Sequence, residues 1–176
     1  ELRAALAAVT TAYRVIDGEG DGAPGVELDR FGGCWLFQGR SAAPPSAAWV
    51  EATLAAGAGS VYWKRLVSGD RQPPIHLAGV GADRPFEITE HGARFRIDLA
   101  AGYSQGLFLD QRDNRARVAR WCAARRAPTL LNTFAYTCSF GVAAARAGAE
   151  TLNLDLSGRA LDWGRENYRL NRLDPD

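Results

Sequence analysis

Apolar and polar positions along this chain change rhythm once, near residue 100. Before it, short alternating runs dominate. Leu2 to Ala12 is alanine-rich and predicts a helix, and "AYRVIDGEGDGAPGVELDRFGG" places a dense Gly, Asp and Pro turn between two short β-like runs. "VELDRF", Gly32-Gly33 and "CWLFQ" predict a hairpin, because a Gly pair permits the positive backbone angles of a tight turn. Trp49 to Ala56 is helix-like and "SVYWKRLV" strand-like, whereas "SGDRQPPIHLAGVGADRP" has little periodicity and is expected to be a long connection. "FEITEHGARFRIDL" alternates on both sides of His91-Gly92, which predicts a second hairpin.

From Asp110 the pattern becomes helix, strand, helix, strand, helix, the alternation of a doubly wound parallel sheet. The expected fold class is therefore α/β, with a small α+β domain over residues 1–100 and the first half of a parallel sheet over 101–176. Asp110 is expected to cap a helix running to about Arg126, with Asp113 beside the free amides of its first turn and Pro128 beyond its end. "PTLLN" is the first parallel strand, "SFGVAAARA" the crossover helix closed by Gly148, and "ETLNLD" the second strand. "LSGRALDWGRENYRLNRL" is the last helix, with Ser157 as its cap and Ala160, Leu161, Gly164 and Tyr168 on one face.

Composition narrows the class. With 176 residues, 47% hydrophobic and 23% charged, the chain can build a real core. Its net charge of +1 creates no global basic field, so a nucleic-acid partner has to be argued from local clusters. Cys34, Cys122 and Cys138 have neither disulfide-framework nor zinc-ligand spacing, which fits a reducing cytoplasm and no metal. No apolar run reaches the roughly 20 residues that span a bilayer, so no membrane is expected. There is no Met, so Glu1 is no initiator and the chain is expected to be cut from something longer.

The chemistry concentrates in the turn "NTFAYTCSF" after the first parallel strand, the backbone nearest to any ligand of such a sheet. Small residues at Ala135, Thr137, Cys138 and Ser139 let the main chain approach a ligand closely, and the free amides of the next helix can donate to it. The turn lacks both G-x-G-x-x-G and G-K-[ST], which disfavours a pyrophosphate and, with it, a nicotinamide-dependent oxidoreductase. Asp155 ends the second strand 23 positions after Asn132, close to the interval of about 20 at which a carboxylate accepts from ribose hydroxyls. Asp155 as a helix cap, Asn132 as a turn former and Cys138 as a small packing residue stand as the alternatives.

The stretch "LLNTFAYTCSFGVAAARAGAETLNLDLSGRALDWGRENYRLNRLD" resembles the cofactor half of class I S-adenosylmethionine-dependent methyltransferases. More narrowly, "AYRVIDGEGDGAPGVELDRFG", "FEITEHGARFRIDL" and "GLFLDQRDNR" resemble segments found in the same order in the bacterial family that methylates large-subunit ribosomal RNA at cytosine C5. The resemblance covers nearly the whole chain. It implies a Rossmann-like sheet, S-adenosylmethionine as cofactor, ribosomal RNA as partner, and a cofactor site at Gln111, Arg112, Asn132, Phe134, Ala135, Thr137, Ser139, Asp155 and Leu156. Asp155 would take the ribose hydroxyls, and Gln111 and Arg112 would lie near the methionine carboxylate or the RNA entry. Where Thr137-Cys138-Ser139 stands, the family more often has Thr-Gly-Gly, so binding requires that Cys138 and Ser139 tolerate their backbone angles. The family's Asp-Pro-Pro-like motif and cysteine nucleophile would lie downstream. The closing "LDPD" is not that motif, so the chain is expected to carry no catalytic residue and to methylate nothing alone.

Six arginines, Arg112, Arg115, Arg117, Arg120, Arg125 and Arg126, share a segment with one carboxylate, Asp113. They read either as phosphate contacts or as the solvated face of a helix that turns Val118, Trp121 and Cys122 inward. Trp35, Phe37, Tyr62 and Trp63 read either as base-stacking residues or as core. A noncatalytic RNA-binding or assembly module that kept this fold is the rival function.

Overall fold

The computed structural model describes residues 2–41, 43–69, 72–102 and 104–176. Its first compact unit comprises Glu1–Ile88 and Ile97–Gln105, and its second Thr89–Arg96 and Gly106–Asp176.

The first unit opens with α1 (Leu2–Ala7), followed by β1 (Ala12–Asp17), β2 (Val26–Phe31), β3 (Cys34–Gly39), α2 (Ala47–Ala55), β4 (Ser60–Arg65) and β5 (Ile75–Gly79). The strands form one sheet in sequence order, antiparallel except for the β3–β4 pair that α2 bridges. Gly32, at φ +60°, closes the two-residue turn of the β2–β3 hairpin. Leu28, Trp35, Phe37, Ala58, Val61 and Trp63 make the core, so Trp35, Phe37 and Trp63 are packing residues; Tyr62 is buried too and accepts from the Ala82 amide. Two expectations are corrected. The opening helix ends at Ala7 instead of Ala12, because the Thr10 hydroxyl bonds both the amide and the carbonyl of Ala12 and turns the chain into β1. The supposed connection after "SVYWKRLV" holds β5, an edge strand with Ile75 and His76 both exposed, which erases the alternation that betrays a strand.

The predicted second hairpin is present as β6 (Phe86–Glu90) and β7 (Ala93–Ile97), and its turn belongs to the second unit. A 3-10 turn over Leu109–Gln111 leads into α3 (Arg112–Ala123), then β8 (Thr129–Thr133), α4 (Ser139–Arg146), β9 (Glu150–Leu154) and α5 (Gly158–Leu170). The parallel pairing of β8 with β9 sets Asn132 opposite Asn153 and Thr133 opposite Leu154. Asp110 does not cap α3: its carboxylate takes the Gln111 side chain, and Gln111 occupies the cap position. α3 ends at Ala123, three residues before Arg126, and Ala127 at φ +48° redirects the chain toward Pro128. Ser157 caps α5 as expected, accepting from the Ala160 amide.

Packing explains several choices in this unit. Gly141 lets α4 lie against the sheet, since a Cβ there would fall 2.3 Å from Asn153 Oδ1 and 2.6 Å from the Tyr168 hydroxyl. The Tyr168 hydroxyl in turn joins the side chains of Thr151 and Asn153. Alternation along β8 and β9 leaves Leu131, Leu152 and Leu154 on the opposite, exposed face. Arg115 leaves the expected basic stripe altogether. Its guanidinium is buried against Glu90 at 2.7 and 2.8 Å and donates a third bond to the Phe108 carbonyl at 2.9 Å. Trp121 turns outward instead of inward, where the Arg125 guanidinium lies 3.7 Å over its ring; Cys122 is buried as expected.

α5 also covers the outer edge of β7. Trp163 Nε1 donates to the Arg96 carbonyl at 3.1 Å, and Asn167 Oδ1 accepts the Arg96 amide at 2.9 Å. Asn171 accepts the Arg94 amide at 2.9 Å and donates to the Arg94 carbonyl at 2.7 Å.

Candidate functional site: the turn between β8 and α4

The turn from Phe134 to Cys138 lies where the parallel strands end. Three of its five residues, Phe134, Tyr136 and Cys138, have positive φ of 55°, 48° and 60° without being glycine. Each such residue costs about 1–2 kcal/mol, so the turn persists only because its surroundings over-determine it. The Ala135 amide donates to the Leu154 carbonyl at 3.0 Å, the Tyr136 amide to Asp155 Oδ2 at 2.8 Å and the Cys138 amide to the Ala135 carbonyl at 2.8 Å. The Thr137 hydroxyl donates to the Gly106 carbonyl at 2.6 Å, and its carbonyl accepts from Asn167 Nδ2 at 2.9 Å.

Asp155 follows β9 and spends its carboxylate on backbone amides. Oδ1 accepts from Ser157 at 2.9 Å and Oδ2 from Tyr136 at 2.8 Å. These amides, Ser157 first and Tyr136 next, hold the carboxyl below the usual carboxylate range. A carboxylate offers about four lone-pair positions, so both oxygens can still accept from a ligand. Asp155 is not the helix cap of the alternative reading, since Ser157 holds that place; it braces the turn and retains the capacity to bind hydroxyls.

The other expected residues divide by side-chain commitment. Ala135 and Thr137 are buried, Ala135 shaping the turn through its backbone and Thr137 through its carbonyl and its hydroxyl. Phe134 is 89% exposed and Leu156 fully so; one follows β8 and the other flanks Asp155, two bare apolar side chains beside adjacent strand ends. Ser139 opens α4, and its amide, with those of Phe140 and Gly141, has no acceptor within the helix. Asn132 sits inside β8 rather than in the turn, and its amide donates to Asn153 Oδ1 at 2.8 Å. Gln111 exchanges hydrogen bonds with Asp110 and Asn114, and Arg112 pairs with Asp113 at 3.2 Å.

Cys138 is no nucleophile. Its thiol is buried against Gly164, where a Cβ would fall 2.3 Å from Sγ, and burial followed by the nearby Asp155 charge pushes it up to about 11. At φ +60°, ψ +27°, Cys138 occupies the left-handed region that non-glycine residues can enter, so the departure from Gly leaves the turn intact.

Sequence reasoning missed Phe108, Tyr136, Gly106 and Asn167. The Phe108 ring lies 5.2 Å from the Tyr136 ring, which brings the "FLDQR" segment to the turn. Gly106 is the second such contact: at φ +112°, its Cβ would meet the Trp163 ring at 2.3 Å. The glycine before an apolar pair was the one visible signal.

Known proteins match the sequence and fold of this chain. A family model described as S-adenosylmethionine-dependent methyltransferase matches residues 53–175. The chain belongs to that family. Among curated relatives, ribosomal RNA large subunit methyltransferase I of Klebsiella pneumoniae is 36% identical over 93% of this chain and 42% of its own length. The protein of the same name from Shewanella amazonensis is 33% identical over 94% and 43%. This chain of the methyltransferase family therefore spans less than half the length of the curated relatives it matches. A solved Streptococcus mutans chain assigned as an S-adenosylmethionine-dependent methyltransferase superposes with a TM-score of 0.76 at 30% identity, over 94% of this chain and 44% of that one. A second, assigned as a methyltransferase and complexed with SAH, superposes with a TM-score of 0.79 at 30% identity, over 98% and 46%. The fold is thus the mixed α/β, Rossmann-like fold of these methyltransferases, and the second unit carries its parallel β8–β9 pair. Among the described residues no group of His, Cys, Asp and Glu could hold a metal ion, and no helix is long and apolar enough to cross a membrane.

Proposed function

We propose that the protein transfers a methyl group from S-adenosylmethionine to C5 of a cytosine in large-subunit ribosomal RNA, and that this chain supplies the donor site. The observation that carries the reading is the strained turn braced by Asp155, with unsatisfied α4 amides on one side and bare Phe134 and Leu156 on the other. Free amides suit the methionine carboxylate, the open lone pairs of Asp155 suit ribose hydroxyls, and the two apolar side chains suit the flat faces of adenine. The curated relatives named for large-subunit ribosomal RNA support the acceptor. Four arginines on or just beyond the exposed end of α3, Arg117, Arg120, Arg125 and Arg126, supply the phosphate-facing charge an RNA partner needs. Residues 1–100 form the RNA-side domain in this reading.

The test uses the full-length protein with radiolabelled S-adenosylmethionine and unmodified large-subunit ribosomal RNA. Label recovered as 5-methylcytidine is the expected result, and label on another nucleoside, or none, overturns the acceptor. Asp155→Ala should weaken S-adenosylhomocysteine binding by about 1–3 kcal/mol in calorimetry, the cost of losing a charged hydrogen-bond partner. Unchanged affinity would reduce Asp155 to an anchor of the backbone.

A further inference from the structure

Asn167 is completely buried, and it spends its one amide group in two directions. Its oxygen takes the Arg96 amide on the β7 edge, and its nitrogen donates to the Thr137 carbonyl inside the turn. The spacing behind this is simple. Residues four apart on a helix are separated by about 6 Å along its axis, and alternate residues of a strand by about 6.6 Å, so Trp163, Asn167 and Asn171 can meet successive edge groups of β7. Asn171 serves that edge and not the turn, and Trp163 adds only a ring contact to the turn, 6.3 Å from Tyr136. Asn167 is the member of the row that hydrogen-bonds the turn.

We infer that Asn167 is a positioning residue for the cofactor turn, an inference that rests on the reading of that turn as the donor site. The peptide between Thr137 and Cys138 is held at both ends: its carbonyl by Asn167 and its N–H by the Ala135 carbonyl. Tyr136 and Cys138 on either side of Thr137 are in the left-handed region, from which an unheld peptide rotates away. Such a rotation would re-aim the amides at the start of α4. Asn alone among small side chains offers an acceptor to the strand and a donor to the turn from one rigid plane.

Asn171 provides a matched control, because it makes the same kind of strand-edge contact from the C-cap of the same helix and does not touch the turn. The experiment compares Asn167→Leu with Asn171→Leu in the full-length protein, by thermal melting and by calorimetric titration with S-adenosylhomocysteine. Both variants should melt earlier. Asn167→Leu should bind about tenfold more weakly or worse, the scale of one lost buried hydrogen bond, while Asn171→Leu stays within about twofold of the parent. Asn167→Leu within that twofold, or equal losses in both variants, overturns the inference. Where Asn167→Leu does not fold, Asn167→Ala is judged by the same criteria; if neither folds while Asn171→Leu does, Asn167 serves the fold and the inference fails. The parent protein and Asp155→Ala measured alongside separate the two claims: no binding by the parent rejects the donor site, whereas a weakened Asp155→Ala beside an unaffected Asn167→Leu rejects only the positioning role.

Discussion

Asp155 and Cys138 show how one turn sets the chemistry of neighbouring groups in opposite directions. Amides hold the Asp155 carboxyl down, so its clamp on Tyr136 and Ser157 contributes fully above the ordinary aspartate value of about 3.9 and is lost as pH falls through the lower folded value. The thiol of Cys138 moves the other way and stays protonated well past neutrality. Iodoacetamide at pH 8 should therefore leave Cys138 unmodified in the native protein and label it after denaturation, as peptide mass spectrometry would report. Rapid native labelling would contradict its burial. The place of Asp155 directly after β9 was legible from the sequence because its distance from Asn132 follows from strand and helix lengths. Asn167 was not, since an Asn within a helical pattern looks the same whether it faces water or bridges two backbones.

Among the elements, α5 depends on what passes beneath it. Gly106 slips under Trp163 and in front of the Arg96 carbonyl, with a Cβ there only 2.3 Å from the ring and 2.8 Å from the oxygen. Gly106→Ala should destabilise by about 2–4 kcal/mol, combining overpacking with an unfavourable backbone angle. Gly148→Ala, at φ +89° with open space around its Cβ, bears only the backbone part, about 1 kcal/mol. Urea melts of the two variants measure the difference, and equal losses would mean that Trp163 yields. Elements with one buried face, such as α4 and β9, announced themselves by period, and the β2–β3 hairpin, whose Trp35, Leu36 and Phe37 are all buried, by its Gly32-Gly33 turn. β5 did not, because an edge strand exposed on consecutive residues carries no alternation. The start of α3 also escaped, since a 3-10 turn precedes it and the local Asp110–Gln111 contact replaces a cap.

At the scale of the whole molecule the two units exchange chain: the second takes Thr89–Arg96 from the middle of the first. Alternation reveals the hairpin, yet only the buried Glu90–Arg115 pair and the bonds from Trp163, Asn167 and Asn171 to Arg94 and Arg96 reveal which unit needs it. A chain trimmed to start at residue 101 would leave the Arg115 guanidinium buried without its carboxylate, a loss of about 3–5 kcal/mol. One starting at residue 86 would keep the pair. Calorimetric melting should show a cooperative transition for the longer piece and a weak or absent one for the shorter; identical melts would make the hairpin tip dispensable.

The outer edge of β7 offers four backbone groups, the amides and carbonyls of Arg94 and Arg96, and α5 occupies all four with side chains. An open edge is a template on which a strand from another molecule can add itself. Here the template is already filled by α5 and Asn171, so this edge cannot seed intermolecular sheet growth unless α5 first lets go. Release of α5 would also free the Thr137 carbonyl, and loss of the ligand turn and exposure of a sticky edge would then be one event.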